Sequence, residues 1–185
     1  IGCSSGGTGE LAISQGKCST YTGIELVPEI AEKAKKKITR VIVTDLEENF
    51  PSLEPGYYDC LIASEVFEHF RDPWRVLEQL IPALKDGATV LASSPNISHK
   101  SVIKALIKGK FNYSNIGVMD KTHLRWFTPD SFKLLFSSNG LQVTSCWPLV
   151  PPTLGQKFLA PFLPNGQRTF WKQIGIEAIK VSHDH

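Results

Sequence analysis

The sequence lacks most of the features that betray a function class on their own. Its four cysteines, Cys3, Cys18, Cys60 and Cys146, form no CxxC pair and keep no zinc-type spacing with histidine. Scattered in this way they read as free thiols of a reducing compartment, and a cytoplasmic location is the expectation. No apolar run reaches the length of a bilayer span, and no signal-peptide pattern occurs in these residues. Charge of one sign is missing too: the formal net charge is +2 and no basic block is longer than "KAKKK". That gives no footing for nucleic acid, which asks for a basic face and aromatic clamps. The block lies in "PEIAEKAKKKI", where Ile30, Ala34 and Ile38 share one helix face and the lysines read as the solvated one. Internal repeats and low-complexity segments are also absent.

What is present is ordinary for a globular domain, with 42% hydrophobic and 21% charged residues in a chain of 185. That length suits a single domain, 1–185. Short apolar runs alternate with amphipathic stretches. "TYTGIEL", "RVIVTDL", "YYDCLIAS", "ATVLASSP", "LQVTSCW" and "GIEAIKVS" read as strands. Between them, "ELAISQG" reads as a short helix, and "PEIAEKAKKKI" as one with Pro28 in its first turn. In "DPWRVLEQLIPALKDG", Asp72 caps a third helix, Trp74, Leu77, Leu80, Ile81 and Leu84 form its inward stripe, and Gly87 closes it. Thr128, Pro129 and Gly140 bound a fourth, "TPDSFKLLFSSNG". This alternation predicts a doubly wound, mainly parallel α/β sheet with a ligand crevice at the carboxyl ends of its strands. Residues 97–127 interrupt it and are expected to form a lid or substrate wall. Residues 148–168, with five prolines, support an irregular crossover or a short helix. His183 and His185 read as part of a frayed tail.

The chemistry starts at "IGCSSGGTG". Gly2, Gly6 and Gly9 permit a tight turn and a close approach of backbone to ligand, and the helix that follows offers unpaired N–H groups. Alone, such a loop is as readily a structural turn. It lacks the lysine and Ser/Thr ending of an ATPase loop. Glu25, with Leu26 after it, ends the next strand, where a carboxylate accepts from both hydroxyls of a ribose; the plain alternative is an exposed acid in a turn. Asp45 ends the third strand and suits an exocyclic amine, with Leu46 offering an apolar face to a flat base, although Asp45 alone is equally a cap.

Taken in order, these segments resemble the class I S-adenosylmethionine-dependent methyltransferases. "IGCSSGGTG" is similar to their glycine motif, "GIEL" to the acidic end of their second strand, and "TDLEE" to their adenine motif. "YDCLIASEVFEHFRDPWRVLEQLIPALKDGATVLASSPN" is similar to the run through their fourth and fifth strands. The resemblance implies a Rossmann-like, three-layer α/β/α fold with a seven-stranded sheet whose last strand is antiparallel. It implies S-adenosylmethionine as cofactor and S-adenosylhomocysteine as product. By position, Gly2, Cys3, Ser4, Ser5 and Gly6 would wrap the methionine part, Glu25 would hold the ribose, Asp45 and Leu46 the adenine, and Ser64, Glu65 and Val66 would line the floor. Ser4 departs from the second glycine that many members carry. The acidic residue usual two positions before the first glycine would fall before Ile1, as would most of the first strand. The chain is therefore expected to be a fragment of a longer one, or a numbering that begins inside it.

The remaining motifs concern the methyl acceptor. In "SEVFEHF", Glu65 and His69 share a face if the turn is helical. His69 then either handles a proton or frames the pocket, bonded to Glu65 or a carbonyl. A metal would need a third ligand, none is evident nearby, and none is expected. Asn96, ending "SSPN", either points its carboxamide at the acceptor or serves a turn. In "GVMDKTHLRWF", His123 and Arg125 suit an anionic substrate, or Asp120 and Arg125 pin the lid as an ion pair. Phe111, Tyr113 and Trp126 read as loop packing rather than a cage. The expected function is methyl transfer to a small molecule through a hydroxyl, amine or carboxylate, with His69 or His123 as the base. The alternatives are a silent cofactor-binding regulatory module and a dinucleotide-dependent oxidoreductase.

Overall fold

The computed structural model describes residues 1–163 and 165–182, so the terminal histidines lie outside the described residues. The chain divides into two compact units, Ile1–Glu54 and Pro55–His185. In the first unit, α1 (Gly7–Ser14) precedes β1 (Thr22–Glu25), α2 (Pro28–Ala34) and β2 (Arg40–Val43). β1 and β2 are parallel, from Thr22 opposite Arg40 to Glu25 opposite Val43, with α2 as the crossover and Pro28 in its first turn as expected. Gly9 lies inside α1, where its task is packing rather than turning. A Cβ there would stand 2.5 Å from Ile38 Cγ2 and 2.8 Å from the Tyr21 ring, so only glycine lets the helix settle this closely.

The second unit carries β3 (Tyr58–Ser64), α3 (Pro73–Leu80), β4 (Leu84–Pro95), α4 (Lys100–Ile107), α5 (Pro129–Ser137), β5 (Leu141–Pro148), α6 (Leu154–Leu159) and β6 (Gln173–Lys180). Its sheet runs β3-β4-β6-β5; β3 and β4 are parallel, and β6 is antiparallel to both its neighbours. β6 lies between two strands, and Ile174, Ile176 and Ala178 on it are fully buried. Phe132, Leu135 and Phe136 of α5 and Val76, Leu77 and Leu80 of α3 complete the core with Phe67. Each large apolar side chain buried in this way contributes about 1.5–3 kcal/mol. Phe67, Phe132 and Phe136 meet edge to face at 5.2–6.3 Å between ring centres.

Helix caps fall where the sequence places them: Asp72 accepts from Arg75 N–H, and Thr128 and Ser131 make a reciprocal box. Three expectations change. Among the described residues there are six strands, two in one sheet and four in the other, rather than seven in one; β1 and β2 are four residues each and pair with one another. The third helix stops at Leu80 in a 3₁₀ turn containing Pro82, so Leu84 opens β4 instead of closing a helix stripe. Trp74 is correspondingly 42% exposed, and Val76 takes the inward position. None of the four cysteines is joined in a disulfide. Among the described residues no helix is long and apolar enough to cross a membrane.

Candidate functional site

In the first unit the candidate element is the turn into α1. Gly2, Ser4 and Gly6 all hold left-handed backbone, with φ of 58°, 48° and 81°. Serine thus occupies a conformation that suits glycine, and the turn keeps its shape. Glu25 fixes the turn from β1. One carboxylate oxygen accepts from Ser4 N–H at 2.8 Å and the other from Val27 N–H at 3.1 Å, while Cys3 N–H reaches the Ile24 carbonyl at 3.1 Å. Each Glu25 oxygen still has a lone pair to offer a ligand. Gly6 caps α1 with no side-chain bond, so the first N–H groups of the helix keep their partial positive charge. The Cys3 thiol is pushed up by burial and then by the Glu25 charge, which keeps it a neutral lining group. Ser5 is half-buried and Leu26 exposed. Asp45 accepts from Glu47 N–H at 2.9 Å, and Leu46 is only 5% exposed, so little of its face is open to a base.

In the second unit the site grows from the end of β3. Ser64 meets Ser93 at 3.1 Å between hydroxyls, and Glu65 leaves the strand at φ 53°, a left-handed turn at a bulky residue. That turn sends Glu65 onto Ser93, whose hydroxyl donates to its Oε1 at 2.9 Å. Half-buried Val66 leads into a 3₁₀ turn, Phe67–His69, so the helical Glu65–His69 pairing does not form. Glu68 points inward instead and is 1% exposed. Its Oε2 accepts from the Ser94 hydroxyl at 3.1 Å, and its Oε1 has no partner. Burial pushes its carboxyl up to about 8, with a smaller push from the Glu65 charge.

The far end of the 97–127 segment closes on this turn. Leu124 and Arg125 N–H both donate to the Glu68 carbonyl, at 2.8 and 3.0 Å. Asp120 accepts from Thr122 N–H and hydroxyl, which hold its carboxyl below the usual range. These bonds deliver His123 to His69, with ring centres 4.9 Å apart. The Thr122 carbonyl meets His69 Nδ1 at 3.2 Å and the Val118 carbonyl meets His123 Nδ1 at 3.1 Å. A carbonyl only accepts, so each neutral ring carries its proton on Nδ1 and keeps the Nε2 lone pair. The expectation that no third metal ligand stands near His69 is overturned: Glu68, His69 and His123 cluster.

Asn96 and Arg125 behave differently from the substrate contacts expected of them. Asn96 is fully buried; it donates to the Arg168 and Trp171 carbonyls and accepts from Ser98 N–H and hydroxyl. All four of its hydrogen-bonding positions are filled, so it clips the crossover to β4 and has nothing left for an acceptor. Arg125 donates to the Arg71 carbonyl rather than to Asp120. Phe111, Tyr113 and Trp126 pack together at 5.6–6.3 Å, and Trp126 Nε1 donates to the Val118 carbonyl. Beside them an open cleft of about 400 Å³ is lined by His99, Val102, Phe111, Met119, Lys110 and Lys172. Burial and the Lys100 and Lys172 charges push the His99 imidazole down, which keeps it neutral.

A sequence profile described as the methyltransferase domain matches residues 1–146, from the glycine turn to β5. The chain belongs to the methyltransferase domain family. Two curated relatives are ubiquinone biosynthesis O-methyltransferases. That of Nitrosomonas europaea is 28% identical over 123 residues, covering 60% of this chain and 48% of that protein. The mitochondrial one of Dictyostelium discoideum is 26% identical over 104 residues, covering 56% and 32%. The chain thus spans a third to a half of the length of these relatives. Among solved structures, a SAM-dependent methyltransferase from Archaeoglobus fulgidus superposes with a TM-score of 0.67 at 19% identity, covering 97% of this chain and 84% of that one. The Rossmann-like α/β fold of methyltransferases is therefore shared.

Within this methyltransferase domain, sequence reasoning missed Glu68 and the serines of β4. The signal was present: Glu68 adjoins His69, and Ser93 and Ser94 end a buried strand as a polar pair. The spacing that would pair Glu65 with His69 if the turn were helical drew attention to Glu65 in place of its neighbour.

Proposed function

We propose that this chain is the catalytic domain of an S-adenosylmethionine-dependent methyltransferase acting on a small molecule. The observation that carries the reading is the glycine turn, left-handed at Gly2, Ser4 and Gly6 and tied by Ser4 N–H to the buried carboxylate of Glu25. Such a turn brings backbone N–H groups and a helix N-terminus to an amino-acid carboxylate, while Glu25 keeps lone pairs for ribose hydroxyls. Membership of the methyltransferase domain family, and relatives named as O-methyltransferases, support the same class. We assign the methionine part to Gly2, Cys3, Ser4, Ser5 and Gly6, the ribose to Glu25 with Leu26 beside it, the adenine to Asp45, whose neighbour Leu46 is too buried to offer it a face, and further cofactor contacts to Ser64, Glu65 and Val66. A single domain over 1–185 and a cytoplasmic location belong to this proposal.

When bound, the cofactor supplies an electrophilic methyl on a sulfonium, which calls for alignment and water exclusion more than for a strong acid. The residues that meet the acceptor are His69 and His123. Both present Nε2 with the proton parked on Nδ1, the state needed to take a proton from a hydroxyl. The cleft lined by Phe111, Met119 and Lys172 supports the reading of the 97–127 segment as a substrate wall. The test is an assay for S-adenosylhomocysteine formed from S-adenosylmethionine against a panel of phenolic, amine and carboxylate acceptors. Turnover with one class, lost in His123→Ala, supports the reading. Cofactor binding without turnover on any acceptor would favour a silent regulatory module instead.

A further inference from the structure

We propose that the cleft flanked by α4, the loop 110–119 and Lys172 binds a small anionic molecule with a flat apolar body, its carboxylate or phosphate met by Lys110 and Lys172. The cleft holds about 400 Å³, and Val102, Phe111 and Met119 give it an apolar wall. Its two lysines are its charged lining, and no aspartate or glutamate borders it. Among the described residues neither lysine has an ion-pair partner, so both charges are available to a ligand.

The sheet fixes where one of these cations stands. At the end of β4, Asn96 donates its backbone N–H to the Lys172 carbonyl at 3.0 Å and its carboxamide to the Arg168 and Trp171 carbonyls. The buried clip thus anchors Lys172 at the carboxyl end of that strand. His99 adds a neutral donor. Ser101 N–H donates to its Nδ1 at 3.3 Å, so the neutral ring carries its proton on Nε2. Burial, then the Lys100 and Lys172 charges, keep that ring neutral. The wall also reaches the histidine assigned to proton transfer: Val118 lines the cleft, and its carbonyl holds His123 Nδ1 at 3.1 Å. Arg125, the cation that the sequence offered to an anion, is engaged by the Arg71 carbonyl instead.

Lysines on a solvated loop are ordinary, but a loop kept for solubility alone is served by both signs of charge. Between Asp86 and Asp120 the chain carries Lys100, Lys104, Lys108 and Lys110 and no aspartate or glutamate. A lining of one sign beside an apolar wall draws in an anion and orients its body. Hydrogen bonds from a cation to a carboxylate or phosphate are about twice as strong as neutral ones. That the bound molecule is the methyl acceptor rests on the methyltransferase reading; the binding of the anion does not.

The test is calorimetric titration of the full chain, without methyl donor, with naphthoate, naphthyl phosphate and the neutral methyl naphthoate. The expected result is saturable binding of an anion at least about tenfold tighter than the ester, the tighter of the two anions telling carboxylate from phosphate. Lys110→Ala and Lys172→Ala, both exposed positions, should each weaken the anion about tenfold and leave the ester unchanged, while Lys172→Arg keeps the affinity. Lys104→Ala, outside the lining, should change nothing. No saturable binding of either anion, an ester that binds as tightly, affinity unchanged in Lys172→Ala, or an equal loss in Lys104→Ala would overturn the proposal. Titration of the same protein with S-adenosylmethionine reads the methyltransferase assignment separately, so the two can fail independently.

Discussion

Among the described residues, Ser4 and Glu65 are the side-chain-bearing positions with left-handed backbone, and both stand in turns assigned to the cofactor. An L-residue held there costs of the order of 1 kcal/mol, which persists only where the surroundings dictate the turn. At Ser4 the bond to Glu25 does so. Ser4→Gly is therefore expected to be neutral or slightly stabilising, whereas Ser4→Val should cost about 1–2 kcal/mol, read by urea denaturation. Glu68 supplies a second residue-scale prediction. Its carboxyl titrates at about 8 in the native chain against 4.5 when free, because burial disfavours the charge. Between those values the unfolded chain has lost a proton that the native chain keeps. Its contribution to the stability of the metal-free protein is therefore whole below pH 4.5 and falls by up to about 1.4 kcal/mol per pH unit until about pH 8. Glu68→Gln should lack that slope, so the difference between wild type and variant in denaturation midpoints across this range isolates it.

At the scale of elements, α1 offers a prediction whose sign is informative. Alanine is a better helix former than glycine by about 1 kcal/mol, so propensity alone says that Gly9→Ala stabilises. Packing says otherwise, since the new Cβ would meet Ile38 and Tyr21 at under 3 Å. Destabilisation by about 1–3 kcal/mol is expected, visible as a lower melting temperature. Elements were legible in the sequence where local chemistry decides them: Pro28 and the caps Asp72 and Thr128 fall as read. They were illegible where a distant partner decides. Glu65 bent left-handed against Ser93 rather than joining a helix with His69; Pro82, by contrast, is a local breaker in plain view, and it ended α3 early and left Leu84 to open β4. His123 reached His69 only through bonds to the Glu68 carbonyl and the Asp120 turn, which no spacing in the sequence encodes.

At the scale of the whole molecule, the alternation of strands and helices foretold an α/β fold, and the profile match and structural likeness agree with it. The candidate site divides by legibility in the same way. The glycine turn and Glu25 follow from local order along the chain, whereas Asn96 carries a buried clip in place of a substrate contact because the crossover near Arg168 and Trp171 returns to it. The central claim is that the turn at Gly2–Gly6 and Glu25 bind S-adenosylmethionine. Calorimetric titration of the chain with S-adenosylmethionine, S-adenosylhomocysteine and NAD, beside Glu25→Gln, tests it most directly. One micromolar site for each of the first two ligands, none for NAD, and at least tenfold weaker binding in the variant is the result expected. Heat from NAD alone, or none from any of the three, would contradict it.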